Sequence, residues 1–287
     1  MIISYFQKNQ NNFWESLEAK NDRPRYCSGL ISIPYSKFVN SFEDEKNVQS
    51  YIKQLFSGKI FIVKGAFDLA FIKKLKLDFN HFVKSRPSEF HKMLENCPDY
   101  HRVIDEEVTK NYSMRAIKHS AYFFPWNGDP YNMFSEIKEK WRYLKHLGGK
   151  KFNEFEKNTP KDKIVDRIQL LKYPQGGELE MHSDPFHNQR MFISIYMSKR
   201  QKGGEYETGG FYSLDKNKKV IDIEPFIDEG DLGFGYATVI HGVSKIDGNS
   251  FEKSNFSTDK GRWFLGLYSN DSDENKERKT SIAVNAN

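Results

Sequence analysis

The sequence predicts a mostly helical N-terminal half followed by an antiparallel β core of the barrel or jelly-roll type. Three observations support this fold class. Apolar residues recur at helical spacing before residue 160, the pattern changes near Ile164 to short apolar or alternating runs, and eight such runs follow without helix-length gaps. Short strands in unbroken succession indicate an antiparallel roll and argue against a parallel nucleotide-binding sheet, whose strands alternate with helices.

Three segments of the first half have helical patterns. Residues 68–82 carry apolar side chains close to the 3.6-residue period, and a second run begins at Pro87, a residue favoured in the first turn of a helix. The third segment, residues 130–147, ends before the pair Gly148 and Gly149, which predicts a C-terminal stop. It carries an apolar stripe typical of core packing, formed by Met133, Phe134, Ile137, Trp141 and Leu144.

The second half is divided by Gly, Pro, Asn and Asp residues into the eight predicted strands. These are residues 166–173, 178–183, 190–198, 206–212, 219–223, 231–236, 238–245 and 262–268. We therefore expect three regions: a helical region packed on the core (1–160), a β core (161–270) and a polar, flexible tail (271–287).

Composition limits the class of protein. Hydrophobic residues make up 38% of the 287 residues and the mean hydropathy is −0.73, values typical of a soluble globular chain. No segment approaches the roughly 20 apolar residues of a membrane span. The apolar stretch at the N-terminus is shorter than the core of a secretory signal, and two cysteines, Cys27 and Cys97, cannot build a disulfide framework. Together these features predict a cytoplasmic protein.

The charge pattern argues against nucleic acid as a partner. The net charge is +5, from 44 basic and 39 acidic residues, and the two signs are interspersed along the chain. A nucleic-acid-binding face needs clustered basic residues. The sequence also lacks a phosphate-binding P-loop, a dinucleotide-binding glycine motif, a nucleophile elbow and a His-Glu-x-x-His zinc motif.

His182 and Asp184 form the strongest candidate for a metal site. On a strand, residues i and i+2 project from the same face, so this imidazole and this carboxylate can share one ion. His241 lies on a later predicted strand that a roll can bring beside them. Two His and one carboxylate form the facial triad of non-haem iron(II) oxygenases, which leaves three coordination positions open.

Arg262 and two tyrosines complete the candidate site. Arg262 begins a strongly apolar strand, where it either extends toward solvent or points inward and requires an anion. An inward guanidinium can hold a carboxylate through two parallel hydrogen bonds. Tyr173 and Tyr196 lie on two of the predicted strands, and each could also be an ordinary core aromatic residue.

Taken together, residues 167–268 resemble the iron(II)/2-oxoglutarate-dependent dioxygenases, and most closely their prolyl-4-hydroxylase-like branch. The resemblance implies a double-stranded β-helix core with the N-terminal helices packed on one sheet. It implies Fe(II) held by His182, Asp184 and His241, and O₂ and 2-oxoglutarate as co-substrates. By position, Arg262 and Tyr196 would bind the distal carboxylate of 2-oxoglutarate, and Tyr173 would contact it near the metal.

One departure concerns the distal carboxylate. Many relatives have a serine two residues after the arginine, where this chain has Phe264. The expected reaction is hydroxylation of an unactivated C–H bond with release of succinate and CO₂.

The substrate is expected to be a small molecule, and the positive charge of Arg190 is compatible with an anionic one. His187 and Trp126 are further candidates for substrate contacts, Trp126 as part of an aromatic lid. A nucleic-acid demethylase of this fold is disfavoured because position 268 is Tyr, where such enzymes carry a second arginine.

Two alternatives remain open from the residues alone. A zinc-dependent hydrolase can use the same two imidazoles and one carboxylate, although it would not need Arg262 or the tyrosines. A non-catalytic jelly-roll module that binds a ligand would use the His and Asp residues only structurally.

Overall fold

The computed structural model describes residues 10–248 and 253–284. Its five α-helices are α1 (Asn11–Glu18), α2 (Tyr35–Asn40), α3 (Glu45–Phe56), α4 (Leu69–Lys84) and α5 (Phe134–Leu147). Its strands before residue 180 are β1 (Gly29–Pro34), β2 (Lys59–Lys64), β3 (Tyr100–Ile104), β4 (Ala116–Phe123), β5 (Ile164–Tyr173) and β6 (Glu178–Ser183). The later strands are β7 (Met191–Tyr196), β8 (Gly210–Leu214), β9 (Val220–Asp222), β10 (Leu232–Tyr236), β11 (His241–Ser244), β12 (Arg262–Asp271) and β13 (Ile282–Ala283).

The strands form one curled, mostly antiparallel sheet that folds over into two layers. Along it the strand order is β1-β2-β10-β7-β12-β5-β4-β6-β11-β8-β9, with β3 paired to β4 and β13 paired to β6. Strand β4 joins the layers: Ala116 and Ile117 pair with β6, whereas residues 119–123 pair with β5. This arrangement confirms the jelly-roll, double-stranded β-helix class predicted from the sequence.

The eight predicted strands are all present, with boundaries shifted by a few residues. The sequence prediction misses β1, β2, β3 and β4, which lie in the half that the periodicity describes as mostly helical. Strand β2 shows why: its central residues 60–63 form a continuous apolar run buried on both faces, and such a run has no alternation to distinguish strand from helix. Part of the N-terminal region therefore belongs to the sheet itself.

Helices α4 and α5 occur where the pattern predicts helices, but the run from Pro87 is not helical. Its backbone amides instead donate hydrogen bonds to other parts of the chain. The Glu89 amide donates to the carbonyl of His101 on β3, and the Met93 amide donates to the Asp273 carboxylate at 2.6 Å. The proline and the short amphipathic run predict a helix, but tertiary hydrogen bonds stabilise an irregular conformation instead.

The helices cover the outer face of the larger layer and leave the inner face for the site. On β12, Trp263 packs edge-on against Phe79 of α4, with ring centroids 5.1 Å apart. Because neighbouring side chains of a strand point to opposite faces, Arg262 points inward. Phe234 of β10 stacks on Phe61 of β2 at 5.1 Å in the same outer core. Among the helices of the described ranges, none is long and apolar enough to cross a membrane.

The tail, for which composition predicts flexibility, takes part in the sheet as far as residue 283. Strand β12 continues to Asp271, and β13 pairs Ile282 with Ser183 and Ala283 with His182. This pairing covers an edge of β6 and brings the polar segment 278–281 to the cavity described below. Local composition does not indicate pairing with a strand about 100 residues away in the chain. The pairing of β13 with β6 could therefore not be predicted from the sequence.

Candidate active site

The two histidines and the aspartate of the predicted triad converge at the start of β11 and the end of β6. His241 is the direct cross-strand partner of His182, and the two rings lie 4.4 Å apart. The Nε2 atom of His182 is 3.6 Å from Asp184 Oδ1, and that of His241 is 3.8 Å from Oδ2. One ligand atom from each residue can be chosen so that all lie within 4.8 Å of one another.

Backbone carbonyls set the orientation of both imidazoles. His182 Nδ1 lies 2.9 Å from the carbonyl oxygen of Glu180, and His241 Nδ1 lies 2.8 Å from that of Val239. A carbonyl only accepts, so Nδ1 must carry the proton, and each Nε2 directs its lone pair toward the centre. Ser281 donates from its hydroxyl to Asp184 Oδ1 at 2.5 Å, which fixes the carboxylate from the tail.

The electrostatics of the triad suit a divalent cation. Burial, together with the neighbouring His241, lowers the pKa of His182 to about 4. Burial opposes ionisation of Asp184, but the two imidazoles and the Ser281 hydroxyl hold its pKa below the usual value. At neutral pH the centre therefore presents the neutral imidazole of His182 and the negatively charged carboxylate of Asp184. Such a donor set fits Fe(II) in a facial triad, and it fits zinc as well.

The triad lies in the wall of a cavity of about 240 Å³ inside the roll. Apolar rings form the wall beside His241: the centroid of Phe192 is 4.5 Å from that of His241, and the centroid of Phe211 is 5.8 Å away. Phe264, at the position that departs from many relatives, also lines the cavity and stacks on Tyr173 with centroids 5.9 Å apart. Apolar walls of this kind limit the access of water to the metal position.

Arg262 reaches the same cavity and is almost completely buried, with 3% of its surface exposed. Its Nε donates to Glu224 Oε1 at 2.5 Å, a partner that the sequence analysis missed. Glu224 also accepts from the Tyr206 hydroxyl at 2.5 Å and from the Phe211 amide at 2.6 Å. A buried guanidinium needs such a counter-charge, and a guanidinium has five N–H donors, so this bond through Nε uses only one.

Two buried tyrosine hydroxyls near Arg262 have no hydrogen-bond partner among the described residues. They belong to Tyr173, which pairs with Arg262 across β5 and β12 and lines the cavity, and to Tyr196, whose ring lies 5.8 Å from the guanidinium carbon. Tyr196 does not line the cavity; its hydroxyl is directed at Gly233, where a Cβ would approach it to 2.3 Å. Only the Tyr173 hydroxyl is therefore placed for a ligand, and an unpartnered buried donor beside a guanidinium fits an acidic ligand better than an apolar one.

Of the three predicted substrate residues, only one lines the cavity. His187 lines the cavity and its Nε2 lies 3.1 Å from Asp271 Oδ2. Arg190 does not: its guanidinium binds the Glu18 carboxylate through Nε at 2.9 Å and Nη2 at 3.1 Å, and the Gly148 carbonyl at 2.9 Å. Arg190 therefore ties α1 to the sheet, and its placement removes the basis for expecting it at the substrate.

Trp126 is also away from the cavity. Its ring stacks on Phe124 at 4.5 Å, and its indole N–H donates to the Cys97 carbonyl at 3.0 Å. The aromatic segment that the sequence analysis considered as a lid is thus a packing element. Of the contributors missed from the sequence, Glu224 begins a 3₁₀ turn and Ser281 lies in a polar tail, and neither carries a motif that signals its role.

Several solved structures are similar to this chain. The chain is 15% identical to a full-length Neurospora crassa protein solved in complex with α-KG, with a TM-score of 0.50, and the match covers 88% of this chain and 87% of that one. It is 10% identical to a Pseudomonas putida prolyl-4-hydroxylase, with a TM-score of 0.47, covering 77% and 97%. A Trichoplax adhaerens prolyl hydroxylase in complex with a peptide fragment matches at 13% identity and a TM-score of 0.48, covering 81% and 91%.

The match to the Neurospora crassa protein shows that the two chains share a fold. No protein-family model matches the chain, and no curated protein matches it in sequence. At identities this low, the chemistry has to be argued from the residues of this chain.

Proposed function

We propose that this protein is an Fe(II)- and 2-oxoglutarate-dependent oxygenase that hydroxylates an unactivated C–H bond of a small molecule. One observation carries the proposal: a His-Asp-His metal triad and a buried guanidinium line the same cavity. The fold and the unpartnered Tyr173 hydroxyl support it. When bound, the iron supplies oxidative chemistry in which 2-oxoglutarate, O₂ and R–H become succinate, CO₂ and R–OH.

In this proposal His182, Asp184 and His241 hold Fe(II) from one side. Each imidazole offers Nε2 because its Nδ1 proton is bound to a backbone carbonyl, and Asp184 is oriented by Ser281. The facial arrangement leaves the other coordination positions to co-substrate and O₂.

Arg262 would bind the distal carboxylate of 2-oxoglutarate, and Tyr173 would donate its unpartnered hydroxyl to the same molecule. Glu224 holds the guanidinium by Nε and so fixes its orientation before the co-substrate binds. This preorganisation reduces the entropy that is lost on binding. Phe264 stacks on Tyr173 and thereby orients the ring that carries this hydroxyl.

The direct test is spectroscopic. Anaerobic addition of 2-oxoglutarate to the Fe(II)-loaded protein is expected to give a weak visible charge-transfer band, and Asp184→Ala is expected to abolish it or shift it strongly. Exposed Asp22→Ala is the matched control and should leave the band unchanged. No band in the wild-type protein, or an unchanged band in Asp184→Ala, would contradict the proposal.

The two alternatives predict different results in the same preparation. A zinc hydrolase would be active with Zn²⁺ and without 2-oxoglutarate. A non-catalytic module would fail to bind one equivalent of Fe(II) or Co(II), and His182→Ala would not change its metal content. The small-molecule nature of the substrate and a cytoplasmic location also stay predictions, and screening metabolites for stimulation of succinate formation tests the first.

A further inference from the structure

A second group of positive charges lines the cavity apart from Arg262. It consists of Arg167 on β5 and Lys118 on β4, which both border the cavity and are both half-buried. We name it the Arg167 cluster. The two side chains repel each other electrostatically, and Lys118 also lies within the field of Asp184. The cluster is therefore close to the metal ligands, although the proposed function assigns it no role.

Arg167 is held in place by aromatic rings and not by an acidic residue. Its guanidinium carbon lies 4.8 Å from the ring centroid of Tyr268 and 5.4 Å from that of Tyr122. Stacking of this kind fixes the plane of the guanidinium and leaves its edge free for hydrogen bonds. One edge donor, Nη2, reaches Gln169 Oε1 at 3.2 Å, whereas Nε is buried and has no partner within the described part of the chain.

Most other charged side chains around the cavity have polar partners, and Lys279, which also borders it, is exposed to solvent. Arg262 is paired with Glu224, Arg278 is paired with Asp273, and Asp271 accepts from Asn188 and from the Lys279 amide. In contrast, residues 10–248 and 253–284 give neither Arg167 nor Lys118 a salt bridge.

Uncompensated positive charge in a partly desolvated cavity costs free energy that an anionic ligand recovers. Burial and the charge of Arg167 lower the pKa of Lys118 to about 8, although the charge of Asp184 acts in the opposite direction.

The Arg167 cluster and Arg262 enter the cavity from different positions along the sheet. Strand register places Tyr173 opposite Arg262 and Arg167 opposite Tyr268, at the two ends of one inward face of β12. Six residues of extended strand separate these positions, a span of about 20 Å. Arg262 and Arg167 therefore extend into the cavity from opposite ends of this face. Gly266, between the two ends, leaves room for the Tyr268 ring, because a Cβ there would lie 2.4 Å from that ring.

We infer that Arg167 and Lys118 bind a carboxylate or phosphate group of the substrate and so position its target carbon toward the metal. That the bound anion is the substrate depends on the proposed function. The anion site itself is defined without the metal. The sequence suggested an anionic substrate because of Arg190, but Glu18 neutralises the charge of Arg190. The inference keeps an anionic substrate and assigns its binding to Arg167 and Lys118.

The experiment measures anion binding to metal-free protein by calorimetry, with phenyl phosphate and benzoate as probes and benzyl alcohol as the neutral comparison. We expect at least one of the two anions to bind more tightly than the alcohol, and the stronger of the two identifies the preferred group. Arg167→Gln should weaken this anion about tenfold or more, the loss expected for one charge-assisted hydrogen bond, and Lys118→Gln should also weaken it.

Arg102 provides the matched control. It stacks on two rings in the same way, 4.9 Å from Phe90 and 5.2 Å from Tyr112, but lies outside the cavity, so Arg102→Gln should leave anion binding unchanged. Arg167→Lys separates charge from packing and should retain more affinity than Arg167→Gln. Equal losses in these two variants would assign Arg167 a structural role and overturn the inference.

Arg262→Gln locates the bound anion. Binding that survives Arg262→Gln and is lost in Arg167→Gln supports the second site, whereas the reverse pattern, or no preference for either anion over benzyl alcohol, overturns it. Because no metal is present, the result is separable from the proposed function. Failure of the Fe(II) and 2-oxoglutarate band with anion binding intact contradicts only the oxygenase proposal.

Discussion

Arg262 and Glu224 are expected to stabilise the fold through their interaction with each other, whereas only the Arg262 guanidinium is expected to contact 2-oxoglutarate. A double variant can distinguish the effect on stability from the effect on co-substrate binding. Both side chains are buried, with 3% and 2% of their surfaces exposed, and they are joined by a 2.5 Å hydrogen bond. In Arg262→Gln the carboxylate keeps the Tyr206 hydroxyl and the Phe211 amide but loses its counter-charge. Removal of one partner of a buried ion pair costs about 3–5 kcal/mol.

The double variant Arg262→Gln/Glu224→Gln removes both charges and keeps a side chain of similar shape at each position. Since the two changes contact each other, their effects should not add. We expect the double variant to recover most of the lost free energy of unfolding and to remain only about 1 kcal/mol below the wild type, the size of one neutral hydrogen bond. Urea denaturation of metal-free protein measures this quantity.

Co-substrate binding should not recover with stability. Without the guanidinium, the distal carboxylate of 2-oxoglutarate loses a charge-assisted contact of about 1.5–3 kcal/mol, so both variants should require roughly 10- to 100-fold more 2-oxoglutarate. Titration of 2-oxoglutarate into the anaerobic Fe(II) protein reports the dissociation constant. Wild-type affinity in the double variant would remove Arg262 from the co-substrate site, and full stability in the single variant would refute the electrostatic argument.

Three further predictions follow from single contacts or groups. Ser281→Ala, which removes the hydroxyl bound to Asp184, should weaken Co(II) binding about 10-fold or more, and an unchanged dissociation constant would show that the tail does not orient the ligand. Burial lowers the pKa of His119 to about 3 and that of His146 to about 4, below the value near 6.5 of an unfolded chain. Because the unfolded chain then binds more protons, the free energy of unfolding should fall as the pH decreases from about 6.5 to 4. A constant free energy of unfolding, measured by urea denaturation over this range, would contradict this. Arg190→Gln should lower stability by about 3 kcal/mol in the same assay and leave the 2-oxoglutarate affinity unchanged, and a matching loss of affinity would return this residue to the site.

The triad could be predicted because its geometry follows from strand rules alone. His182 and Asp184 are separated by one residue at the end of β6, and alternation brings them to one face. His241 needed a further step, the antiparallel pairing of β11 with β6, which a roll of short strands makes natural. The partner of Arg262 could not be found in this way. Glu224 lies in a 3₁₀ turn after β9, and no periodic pattern indicates which way a turn residue points.

Arg167 and Arg190 show why residues proposed to contact a substrate were the hardest to predict. Arg167 lies within β5 and Arg190 directly precedes β7, and the sequence offered Arg190 as a candidate because it lies close to the metal motif. Closeness in the chain proved misleading, because Glu18 on α1 lies 172 residues from Arg190 yet neutralises it. Arg167 is 15 positions before His182, but its place opposite Tyr268 on β12 directs it into the cavity. The charge that remains for a ligand is therefore decided by which acidic residues the fold brings to each arginine, and this depends on pairings across the whole chain.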